Sequence, residues 1–334
     1  MRSLRLHGKG DVRLHEEDRP QPREGETLVR VTAVGLCGSD LHWFAEGGIG
    51  ETRLARPLVL GHELAGVTED GRRVALDPGI PCQACELCLD GHPNLCEGIR
   101  FAGHGEDDGG LREWMAWPER CLVPLPASLS DADGAMLEPL GIALHAVDLA
   151  HLRPGSRAGV FGCGPIGLLL LQVARLAGAA RLFATDLGER PHRLEAARRL
   201  GAVVFAAEGG REARAIRDAM SGAGLDVAIE AAGENAAVDA AVDAVRPGAR
   251  VVLAGIPAEE RTSFRAASAR RKGLTLVLSR RMKHTYPRAI RLVETGQVDL
   301  RSPVTHRFPL ERGPEAFAVA ARREGLKVLV EPRT

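Results

Sequence analysis

The distribution of apolar and polar positions divides the chain into two regimes. Up to about Pro126 the apolar residues fall in short runs separated by Gly and Pro turns, as in LVRVTAVG, RRVALDPG and CLVPLP. Such runs predict short β-strands. From Arg157 to about Leu278 the period changes. Compact apolar runs (RAGVF, RLFAT, VVFAA, LDVAIEAA, ARVVLAG and LTLVLS) alternate with segments of helical spacing at 166–177, 191–200, 211–220 and 235–245. Six strands with intervening helices predict an α/β unit built on a doubly wound parallel sheet. The short-strand pattern returns in SPVTHRFPL and LKVLVEP. Periodicity alone leaves open whether this tail rejoins the first region.

Composition changes the picture little. A chain of 334 residues suits roughly two domains, and 45% hydrophobic residues can fill their cores. Lys+Arg and Asp+Glu balance at 44 each, so no net field attracts nucleic acid or an acidic membrane. The apolar run IGLLLLQVA falls far short of the ~20 residues that a bilayer needs. The start MRSLRLHGKGDVRLHEE has no apolar signal core, so a cytoplasmic location is expected. The basic stretch RAASARRKG (Arg265–Gly273) lacks interleaved aromatics and reads as a solvated loop.

The cysteines carry the first chemistry. Cys82, Cys85, Cys88 and Cys96 lie in PCQACELCLDGHPNLC, a C-x2-C-x2-C-x7-C spacing that can close a tetrahedral sulfur shell round zinc. Four protein ligands leave no open position, so this zinc is structural. A disulfide cluster is the competing reading, and a reducing cytosol disfavours it. Cys37 in VGLCGSDLHWF, with His62 and Glu63 in LGHELAG, offers a thiolate, an imidazole and a carboxylate, with a fourth position left open. Taken singly, such a cysteine or histidine is more often core packing. Glu138, in MLEPLG, would be costly to bury without a partner. Cys121 and Cys163 remain over and are expected to pack as small apolar residues.

The second chemistry lies in RAGVFGCGPIGLLLLQVARLAGAARLFATD, where an apolar strand (Ala158–Phe161) runs into Gly162, Cys163, Gly164, Pro165, Ile166 and Gly167. A helix follows, then a strand ending at Asp186. G-x-G-x-x-G alone is weak in a chain with 39 glycines; the strand before, the helix after and the acidic residue give it a dinucleotide-binding context. Gly162 permits the turn, Gly164 the approach of a diphosphate and Gly167 close packing, with the anion at the start of a helix that opens on Pro165 and Ile166. Asp186 would accept from both ribose hydroxyls and repel a 2′-phosphate, so NAD rather than NADP is expected. Arg190 and Arg193 follow in PHRLEAARRLG. They read as a solvated helix face, with Arg193 also a candidate cofactor contact.

GLCGSDLHWF, PLVLGHE, the four-cysteine lobe, EDDGGL, MLEPLG, GCGPIG and TYPRAI…PVTHRFPLE…GLKVLVEP together resemble the zinc-dependent medium-chain dehydrogenases, and within them the sorbitol and related polyol dehydrogenases. The resemblance implies a GroES-like, β-rich catalytic domain from residues 1–140 and 279–334, with a Rossmann domain at 141–278 inserted. It implies two zinc ions per chain, NAD, a small-molecule polyol or sugar-acid substrate, and a homotetramer or homodimer. Cys37, His62 and Glu63 would be the catalytic zinc ligands, and Glu138 would bind that metal or hold its water. Ser39 would hydrogen-bond the substrate oxygen, His42 would relay its proton outward, and Asp40 would orient His62. Trp43, Phe101 and Arg281 take the polyol-contacting positions, with Arg280 as the alternative if the register slips by one. Lys327, one of four lysines, would lie buried against Asp40. The stretch GHELAGVTEDGRRV is short for the family and implies a more open zinc lobe.

The implied reaction interconverts a secondary alcohol of a polyol and its ketone with hydride transfer to NAD. L-idonate 5-dehydrogenase, L-threonine 3-dehydrogenase and cyclitol dehydrogenase are the enzymatic alternatives. A member that has lost catalysis and persists as a zinc- and nucleotide-binding protein is the other class; retention of Cys37, His62 and Glu63 argues against it.

Overall fold

The computed structural model describes residues 1–257 and 261–332. Two compact units result: Met1–Pro139 together with the described part of Lys283–Thr334, and Leu140–Met282.

The first unit is built on a seven-stranded sheet whose strands run in the order Leu122–Pro124, Arg73–Leu76, Glu63–Thr68, Glu26–Gly35, Lys327–Glu331 and Val304–Pro309, with Trp114–Pro118 also paired to Glu26–Gly35. Glu26–Gly35 is the organising strand. Val29, Val31 and Ala33 are buried while Arg30 and Thr32 between them stay half-exposed, the period-two signature of a strand over a core. One edge pairs with Glu63–Thr68. The other edge is shared: its first half takes Trp114–Pro118, and its end takes Leu329 and Val330 of the tail. The two tail strands run parallel to each other within this sheet. The core holds Leu4, Leu6, Val29, Val31, Trp43, Leu64 and Phe317.

The second unit is a six-stranded parallel sheet in the order Val203–Ala207, Ala179–Leu187, Ser156–Phe161, Leu225–Glu230, Val245–Leu253 and Thr275–Leu278. The inner stretches of its central strands are apolar on both faces because helices cover them; Ala158, Val160 and Phe161 are fully buried. The helices Pro165–Leu176, Pro191–Arg199, Arg211–Asp218 and Asn235–Ala244 fall within two residues of the expected bounds. The strand order reverses beside Ser156–Phe161, whose neighbours are Ala179–Leu187 and Leu225–Glu230. A ligand crevice belongs at the carboxyl end of a strand at such a switch point.

One expectation is overturned here. RAASARRKG is no solvated loop: Ala266–Lys272 form a helix. Lys272 Nζ donates to the carbonyls of Val242, Asp243 and Val245 at 2.8, 2.8 and 2.9 Å, satisfying the open end of Asn235–Ala244. Among the described residues no helix is long and apolar enough to cross a membrane.

Candidate functional site

The first site is assembled from two segments tied by one carboxylate. Cys37 caps the helix Gly38–Glu46, and its N–H donates to Asp40 Oδ2 at 2.9 Å. Asp40 Oδ1 accepts from Gly61 N–H at 3.2 Å and lies 3.5 Å from His62 Nδ1. Asp40 therefore holds the helix start and the His62 segment together. By occupying Nδ1 it leaves Nε2 to face a ligand. Glu63 begins the next strand opposite Gly35, where a Cβ would strike the Glu63 carboxylate; only glycine leaves that carboxylate its place. The ligand atoms of Cys37, His62 and Glu63 all lie within 4.8 Å of one another. A thiol, an imidazole and a carboxylate this close fit zinc with an open position.

The charges behind these ligands are buried and paired. Burial alone would raise the Asp40 pKa, but His62 and the two backbone N–H donors outweigh it and hold it low. Burial likewise opposes the His62 imidazolium, and the Asp40 and Cys37 charges overcome it, raising that pKa well above the usual value. Lys327 is 2% exposed. Its Nζ donates to both Glu63 oxygens and, at 3.1 Å, to Leu36 O. This corrects the expected partner: Lys327 neutralises Glu63, not Asp40, whose lone pairs are already committed to backbone donors and His62.

The remaining candidates of the first unit are placed less uniformly. Ser39 Oγ lies 3.4 Å from His62 Nε2, at the face left for a ligand. His42 Nδ1 lies 3.1 Å from Glu46 Oε1 one turn along the helix. Glu138, in the first turn of the helix Leu137–Ala150, is 4% exposed and stands outside the 4.8 Å group. Its pKa is pushed up to about 8, chiefly by burial, with Glu63 and Asp77 adding and His62 and Lys327 opposing. The Phe101 ring centroid is 5.4 Å from that of His62. Trp43 is 2% exposed and belongs to the hydrophobic core, so its ring has almost no surface to offer a ligand. Beside its edge lies half-buried His104, a residue that sequence reasoning passed over. The signal was an imidazole three positions after Phe101 in a Gly-rich loop, indistinguishable by pattern from a surface turn. Arg280 and Arg281 belong to the second unit, with Arg281 in the left-handed backbone region at φ 54°.

The four-cysteine lobe fits a closed zinc site. The Sγ atoms of Cys82, Cys85, Cys88 and Cys96 lie within 4.8 Å of one another, and those of Cys82 and Cys88 are 4.0 Å apart. Tetrahedral Zn–S bonds of about 2.3 Å would bring sulfurs to about 3.8 Å. Backbone N–H groups of Cys85 and Cys82 already point at the sulfurs of Cys82 and Cys96, at 3.3 and 3.4 Å. All seven cysteines are unpaired thiols. Cys121 and Cys163 are buried apart from both sets.

In the second unit the glycine motif takes the expected turn. Gly162 has φ 110° and its Cβ position lies 2.7 Å from Ala232 N, so any side chain is excluded. A Cβ on Gly167 would collide with the carbonyl oxygen of Gly162. Gly164 caps the helix Pro165–Leu176, with Pro165 and Ile166 as its first residues. Asp186 accepts from Cys163 N–H at 2.8 Å and Leu187 N–H at 2.7 Å, which fixes the carboxylate beside the loop. Arg193 corrects the solvated-face expectation. It is 7% exposed and its Nη1 stands 3.9 Å from Asp186 Oδ2, because the start of Pro191–Arg199 turns this residue inward toward the carboxylate. Arg190 remains half-exposed.

With this geometry established, comparison with known proteins decides the family. Residues 23–127 match the alcohol dehydrogenase GroES-like domain and residues 165–295 the zinc-binding dehydrogenase family. The chain belongs to the zinc-dependent medium-chain dehydrogenases. Among members of this family, sorbitol dehydrogenase of Gallus gallus is 35% identical, covering 98% of this chain and 95% of its own length. Sorbitol dehydrogenase of Bacillus subtilis is 32% identical, covering 99% and 97%. An alcohol dehydrogenase structure from Thermus sp. ATN1 superposes with a TM-score of 0.92 at 32% identity and full coverage of both chains. The chain thus has the medium-chain dehydrogenase fold, a GroES-like β domain plus a Rossmann-like parallel sheet.

Proposed function

We propose that this medium-chain dehydrogenase interconverts a secondary alcohol of a polyol, or of a related sugar-derived substrate, and its ketone, with NAD as the hydride carrier. The observation that carries the reading is the Cys37, His62 and Glu63 group with Asp40 and Lys327 paired behind it. Similarity to two sorbitol dehydrogenases over nearly the whole chain supports the substrate class.

Zinc held by Cys37, His62 and Glu63 would supply Lewis acidity toward the substrate oxygen, while zinc in the cysteine lobe would only hold the loop. The other steps belong to the chain. Lys327 cancels the Glu63 charge so that the buried site carries no excess of anions. Asp40 keeps the His62 proton on Nδ1. The Ser39 hydroxyl, 3.4 Å from Nε2, would take the substrate hydroxyl proton while giving up its own, and His42, one turn along the helix with Glu46 beside it, would take that proton on toward solvent. Glu138, 4% exposed and within electrostatic reach of His62 and Glu63, would bind that metal or hold its water. Phe101, beside His62, contacts the substrate in this reading, while Trp43 serves as backing.

Asp186, fixed by two backbone donors, is positioned for ribose hydroxyls, with Arg193 Nη1 3.9 Å from its carboxylate. Asp186→Ala is expected to narrow the NAD preference, mainly by loss of NAD affinity; a wild-type enzyme with higher kcat/KM for NADP would refute this. We further propose a cytoplasmic location, since four zinc-competent thiols need a reducing compartment, and assembly as a homotetramer or homodimer, which sedimentation equilibrium tests. The substrate test is NADH formation with sorbitol, xylitol, galactitol, idonate, threonine and cyclitols. Turnover of the polyols supports the reading, turnover of idonate alone narrows it to a sugar acid, and turnover of threonine alone rejects it.

A further inference from the structure

We infer that His7 and His15 form a further metal site, one that takes an imidazole-favouring divalent transition metal such as Zn²⁺ or Ni²⁺ and exchanges it with solvent. The inference stands apart from the substrate reading above. Arg2–Gly8 and Asp11–Glu16 form an antiparallel ribbon in which Ser3 pairs with His15, Arg5 with Arg13 and Leu6 with Val12. Leu4 and Leu6 turn one face of it to the core, so Arg5, Arg13 and His15 share the other. In a regular ladder His7 and His15 would stand on opposite sides of the Arg5–Arg13 pair, too far along the ribbon to be neighbours. The register shifts between Leu6 and Gly8, at His7 itself. Such a bulge re-aims the side chain at the extra residue. His7 Nε2 thereby reaches 2.7 Å from His15 Nε2, with the ring planes 12° apart and the centroids at 4.9 Å.

Two neutral imidazoles whose nitrogens face each other can fill the gap in two ways. One keeps a proton and donates it to the other, or both turn lone pairs on one cation. Zinc–nitrogen bonds of about 2.0–2.1 Å at a tetrahedral angle need nitrogens about 3.4 Å apart, so the rings must part by about 0.7 Å. Both rings are half-buried rather than locked in the core. The adjoining turn leaves room, since a Cβ on Gly8 or Gly10 would meet nothing within 4 Å. Burial first, then Arg13 and His15, hold the His7 pKa below its usual value, which keeps the ring in the neutral, ligating form. The nearby guanidiniums are already engaged. Arg13 donates to both Asp11 oxygens at 2.8 and 2.6 Å, and Arg5 to Glu17 at 2.9 Å and Asp108 at 3.0 Å. Imidazole donors select Zn²⁺, Ni²⁺ or Cu²⁺ over Mg²⁺ and Ca²⁺. With two protein ligands and water for the rest, this ion is held less firmly than zinc in either cysteine-bearing site.

The test uses protein loaded at both cysteine-bearing sites and dialysed against metal-free buffer. Wild type, His7→Gln and His15→Gln are titrated calorimetrically with ZnCl2 and, separately, with MgCl2. Wild type is expected to take up one further zinc per chain and no magnesium, and each variant to bind that zinc about tenfold or more weakly. Added zinc should raise the Tm of wild type alone, while NADH formation before zinc is added stays equal in all three proteins. A second measurement needs no variant to fold: substoichiometric Ni²⁺ should broaden two imidazole proton signals of wild type together, ahead of the other histidines. Absence of a further zinc in wild type, equal uptake in both variants, or broadening that begins at a single histidine overturns the inference and leaves a plain His7–His15 hydrogen bond.

Discussion

At the scale of single residues the buried ion pair between Lys327 and Glu63 decides how the metal centre tolerates an empty state. Both partners are at most 2% exposed, so removing one leaves an uncompensated charge. In general this costs about 3–5 kcal/mol. Lys327→Met should therefore lower the Tm of zinc-stripped protein strongly. In zinc-loaded protein the drop should be smaller, because the bound cation takes over part of the neutralisation of Glu63. Calorimetry of both forms checks this, and equal shifts would show that the lysine serves the sheet alone. Sequence spacing pointed to Lys327 as a buried cation because a charge in LKVLVEP needs a partner. Which carboxylate it meets depended on register: Gly35 opposite Glu63 opens the space, and no linear pattern shows that.

At the scale of elements, the strands and helices of the second unit were legible because each repeats one period over its whole length. The first unit was harder to read. The helix Gly38–Glu46 mixes Ser, Asp, His and Trp, so its helical face is hidden by the residues that do chemistry. Ala266–Lys272 escaped for a related reason: it is short, with only Ala269 buried, and its role is to cap another helix through Lys272. The metal sites could be read as residue types, since cysteine spacing is itself the geometry of a closed lobe. His104 could not, because its neighbours come from a helix about sixty positions earlier. For the lobe, Cys88→Ser is expected to remove one zinc per chain by elemental analysis and loosen residues 82–96 to proteolysis. The second zinc should remain at Cys37, His62 and Glu63 until a chelator is added, and be lost together with activity. Loss of both ions from Cys88→Ser would show that the two sites are not independent.

At the scale of the whole molecule, acid should attack both units. In the first, Glu17 accepts from Arg5 Nη2 at 2.9 Å and Ser3 Oγ at 2.6 Å, and its pKa is lowered to about 2, chiefly by the Arg5 bond. In the second, Asp226 accepts from Arg157 Nε and Nη2, both at 2.9 Å, and is held well below the usual carboxylate range by that partner first. A carboxylate depressed on folding binds fewer protons in the native state, so its contribution is complete above an unfolded pKa of about 4 and fades as pH falls toward the folded value. Denaturation midpoints should decline from about pH 4 downward. Glu17→Gln should flatten that decline by about 1 kcal/mol, allowing for solvent screening. A decline identical to wild type would remove the Arg5–Glu17 pair from the account.

The position of Lys327–Glu331 between Glu26–Gly35 and Val304–Pro309 also has a consequence for biosynthesis. Every strand of the parallel sheet of residues 140–282 precedes Val304–Pro309 and Lys327–Glu331 in the chain. The sheet that carries the metal ligands waits for a strand translated after it. Until that strand emerges, Glu63 has no ammonium beside it and the edge at Val34 and Gly35 lacks its neighbours Val330 and Leu329. A nascent chain stalled before Lys327 therefore lacks the strand that joins Glu26–Gly35 to Val304–Pro309. Chaperones or proteases that patrol open sheet edges have that interval in which to act, and competence for catalytic metal arrives only with the last strand.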